Sequence, residues 1–344
     1  GAAIGADYKE LIFTGSATEA NNLALRGVIR RIMNYESGIM GKKTIIRDSK
    51  FITPRIIVSS IEHESILETA RDLEAMGVEV IMIPVSHEGI INLEKLRGSL
   101  NERTILVSVV YASNAVGTIQ PISEISNIIR NFRESRIQDY GLRGNLKTMI
   151  HNSSFMLPLF HTDAAQAFQY LDCDVNRLGA DMMTLSAHKI YGPKGIGALY
   201  MRQNYESGIR NYGPEDRKSL IHNSKFIIHS LVTGGGQEFG IRSGTENVPY
   251  IVGFARAVEI AAKARAREAE RTRALRDKLF RGIKKILPKA AMNGSPLKAK
   301  RLPNHLNVYL PGYRAGELLI ALDRLGVAVS SGPACASRAP KPPG

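Results

Sequence analysis

The sequence predicts an α/β protein, with a doubly wound, mostly parallel sheet in a large N-terminal domain and a smaller α+β unit after it. Three observations carry this. Short apolar runs alternate with stretches of helical period through about residue 250. Five of those runs end on polar residues of the kind that gather where strands leave an open α/β sheet. Near residue 257 the pattern changes to one long basic helix, Ala261 to Leu287, followed by a short mixed segment. The 344 residues suffice for about two domains, placed at 1–256 and 257–344.

Glu10 to Thr14 reads as the first strand, followed by Gly15-Ser16-Ala17-Thr18-Glu19 and the helical pattern Ala20 to Ile29. Amides at a helix start attract an anion, so Ala17 and Thr18 are phosphate candidates, although a plain N-cap by Ser16 or Thr18 explains the same residues. Arg55 to Ser60 is a strand with His63 after it, where a flat ring can cover a planar group. Thr104 to Tyr111 leads into Ser113-Asn114-Ala115-Val116-Gly117, and Asn114 can donate to a phenolic oxygen. Phe155 to Phe160 leads into His161-Thr162-Asp163-Ala164-Ala165-Gln166. There Asp163 can pair with a protonated pyridine nitrogen and Gln166 can reach the same phenolic oxygen.

Ala180 to Leu185 delivers Ser186, His188 and Lys189 in LSAHKIYGPKGIG. A lysine fixed beside an aldehyde and partly deprotonated becomes a nucleophile and holds the carbonyl as a Schiff base, while short polar neighbours can hold a phosphate. Each residue has an ordinary alternative as a cap, a turn or a solvated charge. Capping does not account for five strand ends that each suit one planar phosphorylated cofactor.

The net charge is +14, and Lys263 to Arg301 holds 14 basic and 3 acidic residues, 14 − 3 = +11. Such a helix is either a solvated face or a landing site for an acidic partner or RNA; it lacks the aromatic interleaving of a nucleic-acid binder, and DNA is not expected. Cys173 and Cys335 lie far apart without CxxC spacing, so neither a disulfide framework nor a zinc or other metal site is expected, and a reducing cytoplasm is the expected location. No apolar run reaches a membrane span and no signal-peptide pattern is present. Cys335 stands in Ser330-Ser331-Gly332-Pro333-Ala334-Cys335-Ala336-Ser337, a small-residue loop that can expose a thiol, reactive or inert. Stretches near 34–54, 134–157 and 203–230 are related, with NYESGI in the first and last, and are expected to be surface insertions.

In order and through nearly the whole chain, FTGSATEANNLAL, SSIEHESILET, SNAVGTIQP, HTDAAQAFQ, LSAHKIYGPKGIGALY, GGGQEFGIRSGTENV, LPNHLNVYL and VAVSSGPACAS resemble the cysteine desulfurases. These are pyridoxal 5'-phosphate enzymes of the aminotransferase class V type, fold type I. The resemblance implies that Lys189 forms the Schiff base, Asp163 pairs with the pyridine nitrogen, Asn114 and Gln166 reach the ring oxygen, and His63 stacks on the ring. Ala17, Thr18, Ser186 and His188 would hold the phosphate, joined by Thr245 of a neighbouring subunit in a homodimer; Asn307 aligns near the substrate. It further implies that L-cysteine yields L-alanine and a Cys335 persulfide, for iron–sulfur cluster assembly through an acidic scaffold or other sulfur-acceptor protein, or for RNA thiolation.

Some positions depart from the family pattern. Gly15-Ser16 reverses the usual order, Pro333 replaces a common serine, and Ser113 and Ala115 replace Asn and Glu. Relatives also have a segment before residue 1, and an arginine beyond Cys335 that binds the substrate carboxylate and has no counterpart here. The rival expectations are a selenocysteine lyase or class V transaminase, which keep Lys189 and Asp163 without depending on Cys335, and a non-catalytic truncated homologue.

Overall fold

The computed structural model describes residues 1–39, 53–139, 158–203, 228–297 and 300–332. Its centre is a seven-stranded sheet in the order β1-β7-β6-β5-β4-β2-β3. The strands are β1 (Leu11–Thr14), β2 (Arg55–Ser59), β3 (Glu79–Ile83), β4 (Thr104–Ser108), β5 (Leu159–Asp163), β6 (Met182–Ser186) and β7 (Gly197–Met201). The run from β3 to β6 is parallel; β7 is antiparallel to both β6 and β1. The ends of β1, β2, β4, β5 and β6 therefore open on one edge.

The central strands β4, β5, β6 and β7 are buried along their whole length. Parallel strands covered on both faces read as near-continuous apolar runs. Alternate residues still separate to opposite faces. Ile56 and Val58 pack with Leu23, Ala24 and Val28 of α1 (Ala17–Ile39) and with Ile66, Ala70 and Leu73 of α2 (Glu64–Ala75). Ile57, Phe160 and Met183 face the other side. There they meet Leu96 of α3 (Leu93–Ser99), Ile125 and Ile129 of α4 (Ile122–Asp139), and Val175 and Leu178 of the short α5 (Val175–Leu178). Phe254, Ala257 and Ala261 of the long α6 (Val248–Ile286) join the same side.

The structure shifts several boundaries. α6 begins at Val248 rather than Ala261, because Asn247 caps the Tyr250 amide and Pro249 fits the first helical turn. The apolar Val248–Ile260 stretch is thus the start of the helix, with Phe254 and Ala257 buried and Val248, Val252 and Ile260 exposed, and the helix runs unbroken across 256–257. The strand expected at Phe155–Phe160 lies later, at Leu159–Asp163, and β4 stops at Ser108 rather than Tyr111. The first two suspected insertions begin as the last turns of α1 and α4. Residues 40–52, 140–157 and 204–227 lie outside the described residues.

The C-terminal part adds a two-stranded antiparallel pair, β8 (Ala291–Met292) and β9 (Val308–Tyr309), and α7 (Ala315–Arg324). Its basic residues do not all face solvent. Arg276 and Arg301 are buried and donate to backbone carbonyls, Arg276 to Leu302 and Arg301 to Ser295. No helix among the described residues is long and apolar enough to cross a membrane.

Candidate active site

The sheet edge collects the expected residues. β5 ends on Asp163 and its neighbour β6 ends on Ser186, with Asp163 opposite Thr184 in the register. The turn after β6 carries His188 and Lys189, both exposed, in a short 3-10 turn that spans His188–Ile190. Ser186 Oγ lies 3.0 Å from His188 Nδ1. Partial burial and the nearby Lys189 and Lys194 charges hold His188 below the usual imidazole range.

Gly197 brings the two halves of the phosphate candidate set together. It is the cross-strand partner of both Thr14 and Ser186. A Cβ on it would meet the Ser16 carbonyl carbon at 2.6 Å and the Ala17 nitrogen at 2.8 Å, so only glycine lets β7 approach the start of α1 this closely. Glu19 steadies that start: Oε2 accepts from Gly15 N at 2.7 Å and Oε1 pairs with Arg242 at 2.8 Å, while Ser16 Oγ accepts from Glu19 N. The first α1 amide to close onto the backbone is Ala20, on Ser16 O. Ala17 and Thr18 precede it, at the positive end of the helix.

Asp163 is buried, and both carboxylate oxygens are engaged: Oδ1 accepts from Ala165 N at 2.9 Å and Oδ2 from Asn21 Nδ2 at 2.8 Å. Beneath it, His161 bridges Ser108 and Thr184 across three strands, at 2.8 and 3.0 Å, and burial pushes its pKa down to about 3. His63 caps α2 by accepting from Ser65 N at 3.1 Å. The capping alternative for His63 is therefore realised, and its Nδ1 contacts Ser65, which in turn accepts from Asn21. Gln166 is half-buried in the turn after β5.

Asn114 is pinned from the C-terminal part. His305 Nε2 lies 3.1 Å from Asn114 O, and Asn307 Nδ2 donates to the next carbonyl, Ala115 O, at 2.9 Å. The Asn307 oxygen accepts from Asn293 Nδ2 at 2.8 Å, so its amide is engaged with protein groups at both ends. Leu302 N and Ile119 N continue this contact, to Gly117 O and Lys300 O.

Thr245 is exposed, in a loop whose Glu238 and Phe239 both adopt left-handed backbone, with φ of 49° and 58°. Such conformations cost roughly 1–2 kcal/mol each for residues with side chains. The loop is held by Glu238 accepting from Phe13 N and by Arg242 on Glu19. Cys335 lies outside the described residues. Cys173 is buried, which pushes its thiol up to about 12 and leaves it unreactive.

Two residues at this edge escaped the sequence reading. Asn21 sits on the apolar stripe of α1 between Ala20 and Ala24, and a buried amide on such a stripe was its only signal. Glu62, next to His63, is buried, with Oε1 accepting from Ser59 Oγ and from Val110 N at 2.7 Å. Its Oε2 has no partner among the described residues, and burial raises its pKa to about 8, with Asp163 adding to the rise.

Comparison with known proteins identifies the family. The aminotransferase class-V family matches residues 2–137 and 144–342. Cysteine desulfurase IscS 1 of Archaeoglobus fulgidus is 38% identical over 333 residues, covering 97% of this chain and 70% of that protein. A solved NifS-like protein superposes with a TM-score of 0.73 at 32% identity, over 96% of this chain and 73% of that one. The structure of SspA in complex with cysteine gives 0.64 at 28% identity, over 97% and 75%. In motif order, in fold and in overall similarity, the chain belongs to the aminotransferase class-V family and, within it, to the cysteine desulfurases.

Proposed function

We propose that the chain removes sulfur from L-cysteine with pyridoxal 5'-phosphate, releasing L-alanine and leaving the sulfur on Cys335. The observation that carries this is the placement of Asp163 at the end of β5 and of Lys189 in the turn just after its parallel neighbour β6, whose Ser186 faces Gly197 against the start of α1.

The residues fit the cofactor. Ala17, Thr18, Ser186 and His188 would hold its phosphate, Asp163 its ring nitrogen, Asn114 and Gln166 its ring oxygen, and Lys189 its aldehyde carbon, with His63 over the ring. Bound there, pyridoxal phosphate supplies the electron sink that loosens the substrate's bonds. Lys189 takes the proton from Cα of L-cysteine. The Cys335 thiolate attacks the substrate sulfur to form a persulfide, the Cβ–S electron pair passes to Cβ, which takes a proton, and return of a proton from Lys189 to Cα completes L-alanine. In this reading Thr245, exposed on an anchored loop, would reach the phosphate of a second subunit in a homodimer. The basic surface of α6 favours an acidic sulfur acceptor, such as an iron–sulfur scaffold, and a cytoplasmic setting accords with a persulfide carrier.

The test is an absorption spectrum of the purified protein with pyridoxal phosphate, before and after L-cysteine, with alanine and sulfide measured for the wild type and Cys335→Ala. The proposal expects a visible band that L-cysteine changes, and loss of sulfide release in the variant. Undiminished sulfide release from Cys335→Ala would reject the persulfide route. Borohydride that fails to fix the cofactor at Lys189 would reject the site.

A further inference from the structure

One chain of hydrogen bonds runs from Asp163 to His63. The Asn21 amide nitrogen donates to Asp163 Oδ2 and to Ser65 Oγ, each at 2.8 Å. Ser65 Oγ lies 2.8 Å from His63 Nδ1, and the Ser65 backbone nitrogen lies 3.1 Å from the same atom. Asn21, Ser65 and Asp163 are all buried.

The direction of each bond follows from the groups at the two ends. A backbone N–H can only donate, so His63 Nδ1 accepts, and the neutral ring carries its proton on Nε2. An ionised carboxylate can only accept, so Asn21 must turn its nitrogen, not its oxygen, toward Asp163. Ser65 Oγ then accepts from Asn21 and gives its own hydrogen to Nδ1.

We propose that Asn21 and Ser65 are positioning residues that tie the Asp163 carboxylate to His63 and fix its tautomer, so that the ring meets the substrate side as an Nε2–H donor. This rests on the reading of Asp163 and His63 as cofactor-site residues. Its chemical consequence is that neutral His63 can give a hydrogen bond from Nε2–H to an acceptor on the substrate side, but has no lone pair on Nε2 with which to take a proton. Asn21 also links two strand ends, so a change at the ring-nitrogen partner reaches the ring-covering residue through two side chains.

The experiment is long-range proton–nitrogen NMR on the full chain labelled with 15N-histidine, with the His63 signals assigned through His63→Gln. The expected result is a bare Nδ1 and a protonated Nε2; a proton on Nδ1 overturns the proposal whatever any variant does. Ser65→Ala should move the Nδ1 resonance and lower kcat for alanine formation roughly tenfold with little change in KM, the scale of one lost buried hydrogen bond. Ser65→Thr should restore both. Asn21→Ala should move the same resonance from two bonds away, and unchanged His63 signals in both alanine variants would sink the relay. Correct His63 signals in a protein that takes up no pyridoxal phosphate would uphold the relay and reject the functional reading instead.

Discussion

Glu62 shows how much a single side chain at this edge can impose on the molecule. Its pKa stands near 8 against an ordinary value of 4.5, because burial disfavours the carboxylate. A carboxyl raised in this way contributes stability in full below its unfolded pKa and loses it as pH rises through the folded one. Across that window, from 4.5 to about 8, the slope for one proton is about 1.4 kcal/mol per pH unit. Glu62→Gln should therefore flatten the decline in denaturant midpoint between about pH 5 and 8, and parallel curves for the two proteins would assign the decline to another group. Asp163 makes a different demand, since its value lies in being charged. Asp163→Asn should lower alanine formation by at least about a hundredfold, as removal of one preorganised electrostatic partner does, with the cofactor still taken up. Asp163, Ser186 and Lys189 stood out in the sequence because each lies within four residues after an apolar run. Asn21 and Glu62 could not, because a polar residue in a helical stripe or ahead of a cap looks like an ordinary surface position until burial is known.

Among the elements, β7 and α6 teach most. Among the described strands β7 alone runs against the sheet, and Gly197 at its start lets α1 begin against Thr14 and Ser186. Gly197→Ala should cost about 1–3 kcal/mol through overpacking, read in a thermal or chemical melt. It should also weaken pyridoxal phosphate binding, because relief of the clash moves Ser16 and Ala17. Unchanged affinity would separate the α1 start from the phosphate. The parallel core was legible because strands buried on both faces are mostly apolar, as Met182–Ser186 and Thr104–Ser108 are, each with only two hydroxyl residues. The start of α6 was not, since Val248–Ile260 is apolar enough to resemble a strand and its helical state depends on the Asn247 cap and the Phe254 and Ala257 contacts.

At the scale of the whole molecule, charge and connectivity set the expectations. The chain carries +14, and the exposed arginines of α6 partly pair along the helix, as Arg271 with Glu268 and Arg273 with Glu270. Affinity for an acidic sulfur acceptor should fall with added salt, and a salt-independent affinity would show that the basic surface is not the contact. Deleting 40–52, 140–157 and 204–227 together should leave cofactor absorbance intact if these segments are surface excursions, and its loss would show that they support the fold. Among the contacts between the large and small parts of the chain, His305 and Asn307 grip the consecutive carbonyls of Asn114 and Ala115. A tilt of the C-terminal part therefore tugs directly on the backbone that carries Asn114, and the colour of the bound vitamin would serve as a built-in gauge of how the two parts are set against each other.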